Sequence, residues 1–398
     1  MRFDPRNPVF VAHPYDVYDE LRRTAPVTYY EPTDQWLISR HADVNALLRD
    51  RRLGRTYLHV ATHEEFGRRP EPDFQEPFWR VSRNGMLEVE PPLHTRLRRL
   101  VSKAFTPRMV ESLRPRVRAI AGGLVDAFVE KGGGDLIAEV AEPLPVTVIA
   151  EMLGIPESDR HLLRPWSADM CGMYELNPTP EAQQAAVRAA EEFEAYLKGL
   201  ARERAAAPGD DLISALAGIE ELTEDELAGT CVLLLNAGHE ATVNGTGNGW
   251  WSLFRHPEEL ARLRADRSLL PTAVEELLRY DTPLQLFERW VLEDIEVHGV
   301  RIPRGSEVAL LFGSANRDPE VFVDPDRLDV GRADNPHISF GAGIHFCLGA
   351  PLARIEMVES FGALLDRTSE LELVSEPVWK PGYVIRGLHS LDLRAAAA

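Results

Sequence analysis

Three glycines and one cysteine lie within the ten residues from Phe340 to Gly349. Glycine lets the backbone adopt positive φ angles and approach a flat ligand closely. A helix is expected to begin near Pro351, and the backbone N–H groups at a helix start favour an anionic sulfur. The pattern predicts that Cys347 is a thiolate with a lowered pKa. A cysteine without such neighbours is more commonly a small buried hydrophobic residue.

A second candidate group, Glu240 with Ala241 and Thr242, lies in the middle of a long predicted helix. A capping box that starts at Thr223 begins this helix. The helix extends to about Phe254, which corresponds to a length of about 45 Å. Its middle is apolar on all sides, as expected of a helix that is buried throughout. The helix is therefore predicted to cross the core of the molecule.

The segment from Phe340 to Gly349 resembles the haem-binding signature of the cytochrome P-450 superfamily, with every fixed position filled. The resemblance implies heme b, an iron protoporphyrin IX, with the axial thiolate of Cys347 as its metal ligand. It also implies that Phe340, Gly341, His345 and Gly349 lie around the haem. A thiolate ligand donates electron density that favours O–O cleavage.

Haem carries two propionate carboxylates, which need cationic or hydrogen-bonding partners inside a fold. His94 and Arg98 lie four residues apart on one helical face and resemble the family's propionate-binding pair. Arg289 and His345 match the two remaining positions. Each residue alone is also compatible with an ordinary surface charge, so the prediction depends on the four together.

Glu276 and Arg279 lie three residues apart on a predicted helix, so they share a face and can form an ion pair. Such a pair is usually a weak surface bridge. Here it resembles the structural Glu-x-x-Arg pair of the family, which is buried and joined by a second arginine from a turn-rich segment. Arg332 is our choice for that third member.

The segment from Ala237 to Thr242 resembles the family's oxygen-binding segment, in which the helix is distorted beside the haem. Gly238 provides flexibility there, and Glu240 is the acid that relays protons from solvent. The first threonine of the family's pattern helps to deliver protons to oxygen, and Ala241 replaces it with a methyl group. Thr242 lies about 100° further round the helix, so it is not a simple substitute.

Three consequences of Ala241 are open. In the first, the substrate's own hydroxyl organises the water that delivers protons. In the second, the reaction needs less strict proton delivery. In the third, the enzyme is poorly coupled and releases peroxide. We favour substrate assistance because Glu240 is retained and the need for a proton donor remains. Together, Glu240, Ala241 and Thr242 are the predicted catalytic residues.

The chain has 398 residues, with 44 Lys plus Arg against 63 Asp plus Glu, a net charge of -19. This charge repels phosphate backbones and argues against nucleic-acid binding. Three scattered cysteines are typical of a reducing compartment. With no signal peptide or membrane span evident, we expect a cytoplasmic monomer that is not bound to a membrane.

A basic cluster between Thr95 and Arg118 is a local exception in this acidic chain. A charge run is usually a solvated helix face. The family places this helix near the proximal haem face, so the resemblance favours electrostatic docking of an acidic ferredoxin. The expected electron donor is a ferredoxin with an NAD(P)H-dependent ferredoxin reductase.

The resemblance covers essentially the whole chain and implies a single-domain triangular fold, mostly α with a small β region. We expect one domain over residues 1–398, with a β-containing N-terminal lobe at roughly 1–90 that is not independent. Short strands are predicted at Val27 to Tyr30 and Gln35 to Ile38. The polar stretch from about Leu58 to Asn84 is expected to be a mobile loop.

The expected substrate pocket is mostly apolar, which favours a moderately hydrophobic small molecule. Its predicted lining residues are Leu234, Ala237, Leu284, Phe287 and Ile385. Asn236 and Thr242 are its candidate polar contacts. We expect a dioxygen-dependent monooxygenase that hydroxylates or oxidatively dealkylates its substrate. The alternatives are oxidative coupling, desaturation or peroxide-driven oxidation on the same haem and, in another class, a non-catalytic haem binder or partner-recruiting protein.

Overall fold

The computed structural model describes residues 2–398. Helices α1 to α15 span Pro8–Ala12, Tyr15–Thr24, His41–Leu47, Glu76–Asn84, Leu93–Ala104, Pro107–Glu130, Pro143–Leu153, Leu163–Cys171, Pro180–Ala206, Leu212–Ala217, Glu224–Arg255, Pro257–Ala265, Leu270–Tyr280, Phe312–Ala315 and Ala350–Arg367. Strands β1 to β12 span Val27–Tyr30, Gln35–Ile38, Leu53–Gly54, Gly133–Asp135, Phe287–Val291, Ile295–Val297, Val300–Ile302, Glu307–Leu310, Thr368–Leu373, Val378–Trp379, Leu388–Ser390 and Asp392–Ala397. The predicted fold class, mostly α with a small β region, is confirmed.

The largest sheet has the strand order β1-β2-β8-β5-β3. Strands β1 and β2 form at the two predicted positions and pair in an antiparallel hairpin, with Val27 opposite Ile38. Strand β2 pairs in parallel with β8, so that Gln35 lies opposite Glu307. Strand β5 then lies between β8 and β3, antiparallel to both. Strands from the N-terminal part of the chain are thus paired with strands that come about 250 residues later.

Helix α11 begins at the predicted capping box, in which the backbone N–H of Glu226 donates to the side chain of Thr223 and the backbone N–H of Thr223 donates to the side chain of Glu226. It is 32 residues long without a break, which corresponds to about 48 Å. Most of its residues are buried, and these residues lie on all faces of the helix, as its apolar sequence predicts. The distortion expected near Gly238 does not interrupt it.

Helix α4 corrects one prediction. The stretch from Leu58 to Asn84 was expected to be an irregular loop, but its last nine residues form this helix. Phe78 and Val81 are buried in the main core. The helix crosses α11 so closely that a Cβ atom on Gly229 would lie 2.7 Å from the backbone of Asn84. Packing against a glycine on a distant helix gives no signal in the local sequence, which is why the helix was missed.

The predicted ion pair of Glu276 and Arg279 on α13 is fully buried. Nε and Nη2 of Arg279 donate to the two carboxylate oxygens at 2.7 and 2.8 Å. Nε of Arg332 donates to the same carboxylate at 3.0 Å, as predicted for the third member. Nη1 of Arg279 also donates to the carbonyl of Asn316 at 2.9 Å. The network therefore fixes the turn-rich segment that precedes Cys347 onto α13.

Across residues 2–398, no helix combines the length and the apolar composition that crossing a membrane requires.

Candidate active site

The Cys347 loop, residues 340–349, is held in shape by two glycines and a closing hydrogen bond. Gly341 and Gly343 have φ angles of 69° and 72°, which other residues rarely adopt. A Cβ atom on Gly343 would lie 2.4 Å from the carbonyl oxygen of Leu48. The backbone N–H of Cys347 donates to the carbonyl of Phe340 at 2.9 Å. The first two glycines are therefore required by the backbone.

The sulfur of Cys347 accepts hydrogen bonds from the backbone N–H groups of Gly349 and Ala350, at the start of α15. Gly349 has a φ of -80°, so its backbone angle does not require glycine. Burial raises the pKa of Cys347 above its ordinary value, against the smaller lowering by these N–H groups and by nearby arginines. The predicted lowering of this pKa is wrong because desolvation of the thiolate is the larger effect.

A central cavity of about 290 Å³ lies between the Cys347 loop and the middle of α11. Cys347 lines it from the loop, and Glu240, Ala241 and Thr242 line it from the helix. The other predicted haem-contacting residues that line it are Arg98, Arg289, Phe340, Gly341, His345 and Gly349. All the predicted pocket residues line it as well, namely Leu234, Ala237, Leu284, Phe287 and Ile385. The chain thus brings nearly all of the predicted site residues together.

His94 is the exception, because it lies behind His345 instead of lining the central cavity. The two imidazole centroids are 4.5 Å apart. Both ring nitrogens of His94 are buried and have no hydrogen-bond partner in residues 2–398. Burial, followed by the charges of His345 and Arg98, lowers the pKa of His94 to about 4. Nε2 of His345 is 3.1 Å from a carboxylate oxygen of Glu90.

Arg289 and Arg98 are cations of the central cavity that have no carboxylate partner in residues 2–398. Arg289 is buried on β5 and donates to the carbonyl of Glu288 at 2.8 Å. Burial, followed by the charge of Arg55, lowers its pKa to about 9. Arg98 donates to the carbonyls of Ile344 and Phe346 at 3.0 and 2.7 Å, which fastens α5 to the Cys347 loop.

On the helix side, Glu240 is held by a cation from the C-terminal part of the chain. Nζ of Lys380 lies 3.0 Å from Oε2 of Glu240. Nδ1 of His239 is 3.8 Å from the other carboxylate oxygen. Ala241 and Thr242 follow on the cavity wall. The wall therefore carries one ion-paired acid, one hydroxyl and a methyl group.

The family model for cytochrome P450 matches residues 167–373. The cytochrome P450 monooxygenase PikC of Streptomyces venezuelae is 41% identical to the chain over 399 residues, which cover 97% of this chain and 92% of that protein. The chain belongs to the cytochrome P450 family. Another P450 relative, the 6-deoxyerythronolide B hydroxylase of Saccharopolyspora erythraea, is 39% identical, with 96% and 95% of the two chains covered.

The solved P450 structures confirm the predicted fold. P450BioI, in complex with an acyl carrier protein that carries hexadec-9Z-enoic acid, aligns with a TM-score of 0.91. The two chains are 38% identical, and the alignment covers 98% of this chain and 99% of that one. The predicted enzyme class, a P450 monooxygenase, is confirmed by these relatives.

A P450 implies a haem cofactor, and the polar groups of this chain fit one. Cys347 lines the central cavity together with two cations, Arg98 and Arg289, that have no carboxylate partner within residues 2–398. The imidazole of His94 is buried with both nitrogens unpartnered. Buried groups of this kind are costly without an anionic or hydrogen-bonding partner, and the two haem propionates are such partners. The donor set therefore agrees with a haem bound between Cys347 and α11.

Sequence reasoning missed three charged residues of this P450 site. Arg55 lines the central cavity, ion-pairs with Glu88 and donates to the carbonyl of Glu288 at 3.0 Å. Glu356 on α15 is buried at the cavity wall, and burial raises its pKa to about 8. Lys380 lies 140 residues from Glu240 along the chain. Of these three residues, only Glu356 could have been found from the sequence, because it is an acid on the face of α15 that also carries Leu352 and other core residues.

Proposed function

We propose that this P450 holds heme b through the thiolate of Cys347 and hydroxylates or oxidatively dealkylates a moderately hydrophobic small molecule. The observation that carries the proposal is the central cavity, where Cys347 lies opposite the middle of α11 and two arginines have no carboxylate partner within residues 2–398. When bound, haem supplies dioxygen activation, and a thiolate ligand favours O–O cleavage. A Lewis-acidic iron cation would hold Cys347 deprotonated against the effect of burial.

The residues around the sulfur have separate tasks in this proposal. The N–H groups of Gly349 and Ala350 stabilise the thiolate and orient it. Arg98 and Arg289 bind the propionates. His345 adds a hydrogen bond beside them, and Phe340 and Gly341 line the cavity next to the sulfur. His94 packs against His345 and donates the remaining hydrogen bond from a ring N–H.

Proton delivery is proposed to involve Glu240, Thr242 and the substrate. Glu240 exchanges protons with solvent through its contact with Lys380. Ala241 cannot donate, so the substrate's hydroxyl positions the water that Thr242 and Glu240 support. A second candidate, peroxide-driven oxidation on the same haem, is favoured by the same Ala241 because it needs less strict proton delivery.

The electron donor is proposed to be an acidic ferredoxin with its NAD(P)H-dependent reductase. Of the basic cluster between Thr95 and Arg118, five arginines have carboxylate or carbonyl partners: Arg96, Arg98, Arg114, Arg116 and Arg118. Arg99, Lys103 and Arg108 are exposed and make no ion pair within residues 2–398. Arg98 of the same cluster donates to the carbonyls of Ile344 and Phe346, whose side chains are exposed on the Cys347 loop. This mixed basic and apolar surface suits an acidic partner.

We further propose a cytoplasmic monomer that folds as one unit. All three cysteines, Cys171, Cys231 and Cys347, are free thiols, which suits a reducing compartment. The pairing of β2 with β8 argues against an independently folding N-terminal lobe.

The proposal is tested with the purified haem-loaded chain. A library of small molecules is screened for a spin-state shift of the haem, and the binders are incubated with ferredoxin, reductase and NAD(P)H. An oxygenated product that depends on the reductase system supports the monooxygenase. Product that forms only with added peroxide supports the second candidate, and no turnover with either oxidant contradicts both.

A further inference from the structure

Asn236 is a buried amide on the cavity wall of α11. It lies one turn before Glu240, is 3% exposed and lines the central cavity. Its Nδ2 donates to the sulfur of Met170 at 3.4 Å. Its Oδ1 is buried and has no hydrogen-bond partner in residues 2–398. One end of the amide is therefore used to contact α8, and the other is unpaired.

The amide oxygen of Asn236 has no hydrogen-bond partner in residues 2–398 and lies among apolar side chains of the cavity wall. The neighbouring wall residues Leu233, Leu234 and Ala237 are apolar. A buried carbonyl without a donor is destabilising, whereas leucine has nearly the same shape and carries no such penalty. The contact with Met170 does not explain the amide, because a thioether is a weak acceptor. Oδ1 of Asn236 therefore needs a hydrogen-bond donor, and residues 2–398 do not provide one.

The charges around Asn236 limit which chemical groups can be the hydrogen-bond partner of its Oδ1. The acid nearest along the helix, Glu240, is already paired with Lys380. Asn236 is itself neutral, and a charged group is strongly disfavoured against an apolar wall. The missing partner is thus an uncharged donor, a hydroxyl or an N–H group, on an otherwise apolar molecule.

We propose that Oδ1 of Asn236 accepts a hydrogen bond from a hydroxyl or N–H group of the substrate and thereby selects its orientation. The inference rests on the proposed haem function, and it narrows the substrate class to apolar molecules with at least one uncharged hydrogen-bond donor. Asn236 is a specificity-determining residue in this account. It makes no contribution to oxygen activation.

The test uses the haem-loaded full-length chain and probes that bind haem iron through an imidazole nitrogen. The probes are 4-phenylimidazole and 4-(biphenyl-4-yl)imidazole, with a hydroxyl placed in turn at every free phenyl position, and the matched methyl derivatives. Binding is followed by the shift of the Soret band. At one hydroxyl position or more, the unmodified chain is expected to bind the hydroxyl probe about tenfold more tightly than its methyl counterpart.

Asn236→Leu is expected to lose that preference while it still binds the unsubstituted probes. Retained binding of the unsubstituted probes guards against a folding defect in the leucine variant. Met170→Leu removes the thioether and keeps the amide, so the preference should remain. Tyr174→Phe is a matched control, since Tyr174 also lines the cavity and has no hydrogen-bond partner in residues 2–398.

The inference is overturned if no hydroxyl position is preferred, or if the preference survives in Asn236→Leu. It is also overturned if Tyr174→Phe removes the preference and Asn236→Leu does not. Absence of any Soret shift in the unmodified chain is a different failure. That result would contradict the proposed haem site itself, so the two failures are distinguishable.

Discussion

The two walls of the central cavity differ in how completely the chain specifies them. The loop wall, residues 340–349, has two glycines at positive φ and a sulfur that accepts two backbone hydrogen bonds. The helix wall, residues 236–242, has an amide oxygen on Asn236 without a partner in residues 2–398 and a methyl group on Ala241, where the resemblance predicts a hydroxyl. The loop wall is complete for its cofactor, whereas the helix wall needs a substrate to complete it.

The largest expected effect comes from removing the sulfur of the loop wall. Cys347→Ser should lower the rate of product formation at least about 1,000-fold, because a hydroxyl does not donate electron density as a thiolate does. Turnover is measured with ferredoxin and reductase. Cys171→Ser is the matched control, since Cys171 lines the same cavity, and it should retain the thiolate-type spectrum. Equal spectral loss in both variants would contradict the assignment.

The buried ion pair of Glu276 with Arg279, which holds the segment before the loop wall on α13, is expected to contribute several kcal/mol to the free energy of unfolding. Glu276→Gln leaves Arg279 buried without its counter-ion, so the free energy of unfolding should fall by about 3–5 kcal/mol. Chemical unfolding measures this difference. The matched acid-to-amide control is Glu372→Gln, whose exposed pair with Arg394 should change stability by less than about 1 kcal/mol. Similar losses in both variants would mean that the buried network does not brace the loop.

The outer surface of the loop wall is tested through electron transfer. Changing Arg99, Lys103 and Arg108 together to glutamine should slow ferredoxin association about tenfold at low salt. The effect should shrink as ionic strength rises. Arg116→Gln is the control, because Arg116 is already paired with Glu151. An unchanged association rate in the triple variant would place the ferredoxin elsewhere.

His94 gives the haem-free chain a pH dependence. Its folded pKa of about 4 lies below the ordinary 6.5, so the unfolded chain binds more protons between these values. The free energy of unfolding should therefore fall as the pH drops from about 6.5 to about 4. His94→Gln should flatten this dependence in the haem-free protein. Chemical unfolding at several pH values checks this, and an unchanged slope in the variant would contradict it.

The smallest expected effect is on the helix wall. Ala241→Thr restores the family's hydroxyl, but with substrate assistance the product formed per NAD(P)H consumed should rise less than about twofold. Product and NAD(P)H are measured together with the native substrate. A large gain in coupling would show that the substrate does not substitute for the missing hydroxyl.

The same contrast explains what could be predicted from the sequence. The loop wall is specified by local spacing, so its cysteine, its glycines and the following helix are all visible in ten residues. The ion pair of Glu276 with Arg279, and Arg332 as its third member, could also be predicted, because the family pattern that they resemble has fixed spacings. Contacts between distant segments gave no such signal, as with Lys380 at Glu240 and α4 against Gly229.

The wrong pKa direction for Cys347 has a related cause. The helix start after the loop is visible in the sequence, and its N–H groups do lower the pKa as expected. The depth at which the loop is buried depends on the whole fold, and that burial is the larger effect. Local sequence therefore identified the hydrogen bonds but not the desolvation that outweighs them.

The central claim, a haem ligated by the thiolate of Cys347, is tested most directly by the absorption spectrum of the ferrous–CO complex. The purified chain should give the red-shifted Soret band of a thiolate-ligated haem, and Cys347→His should give the shorter-wavelength band of a nitrogen-ligated haem. A red-shifted band that persists in Cys347→His, or its absence from the unmodified chain, would contradict the account.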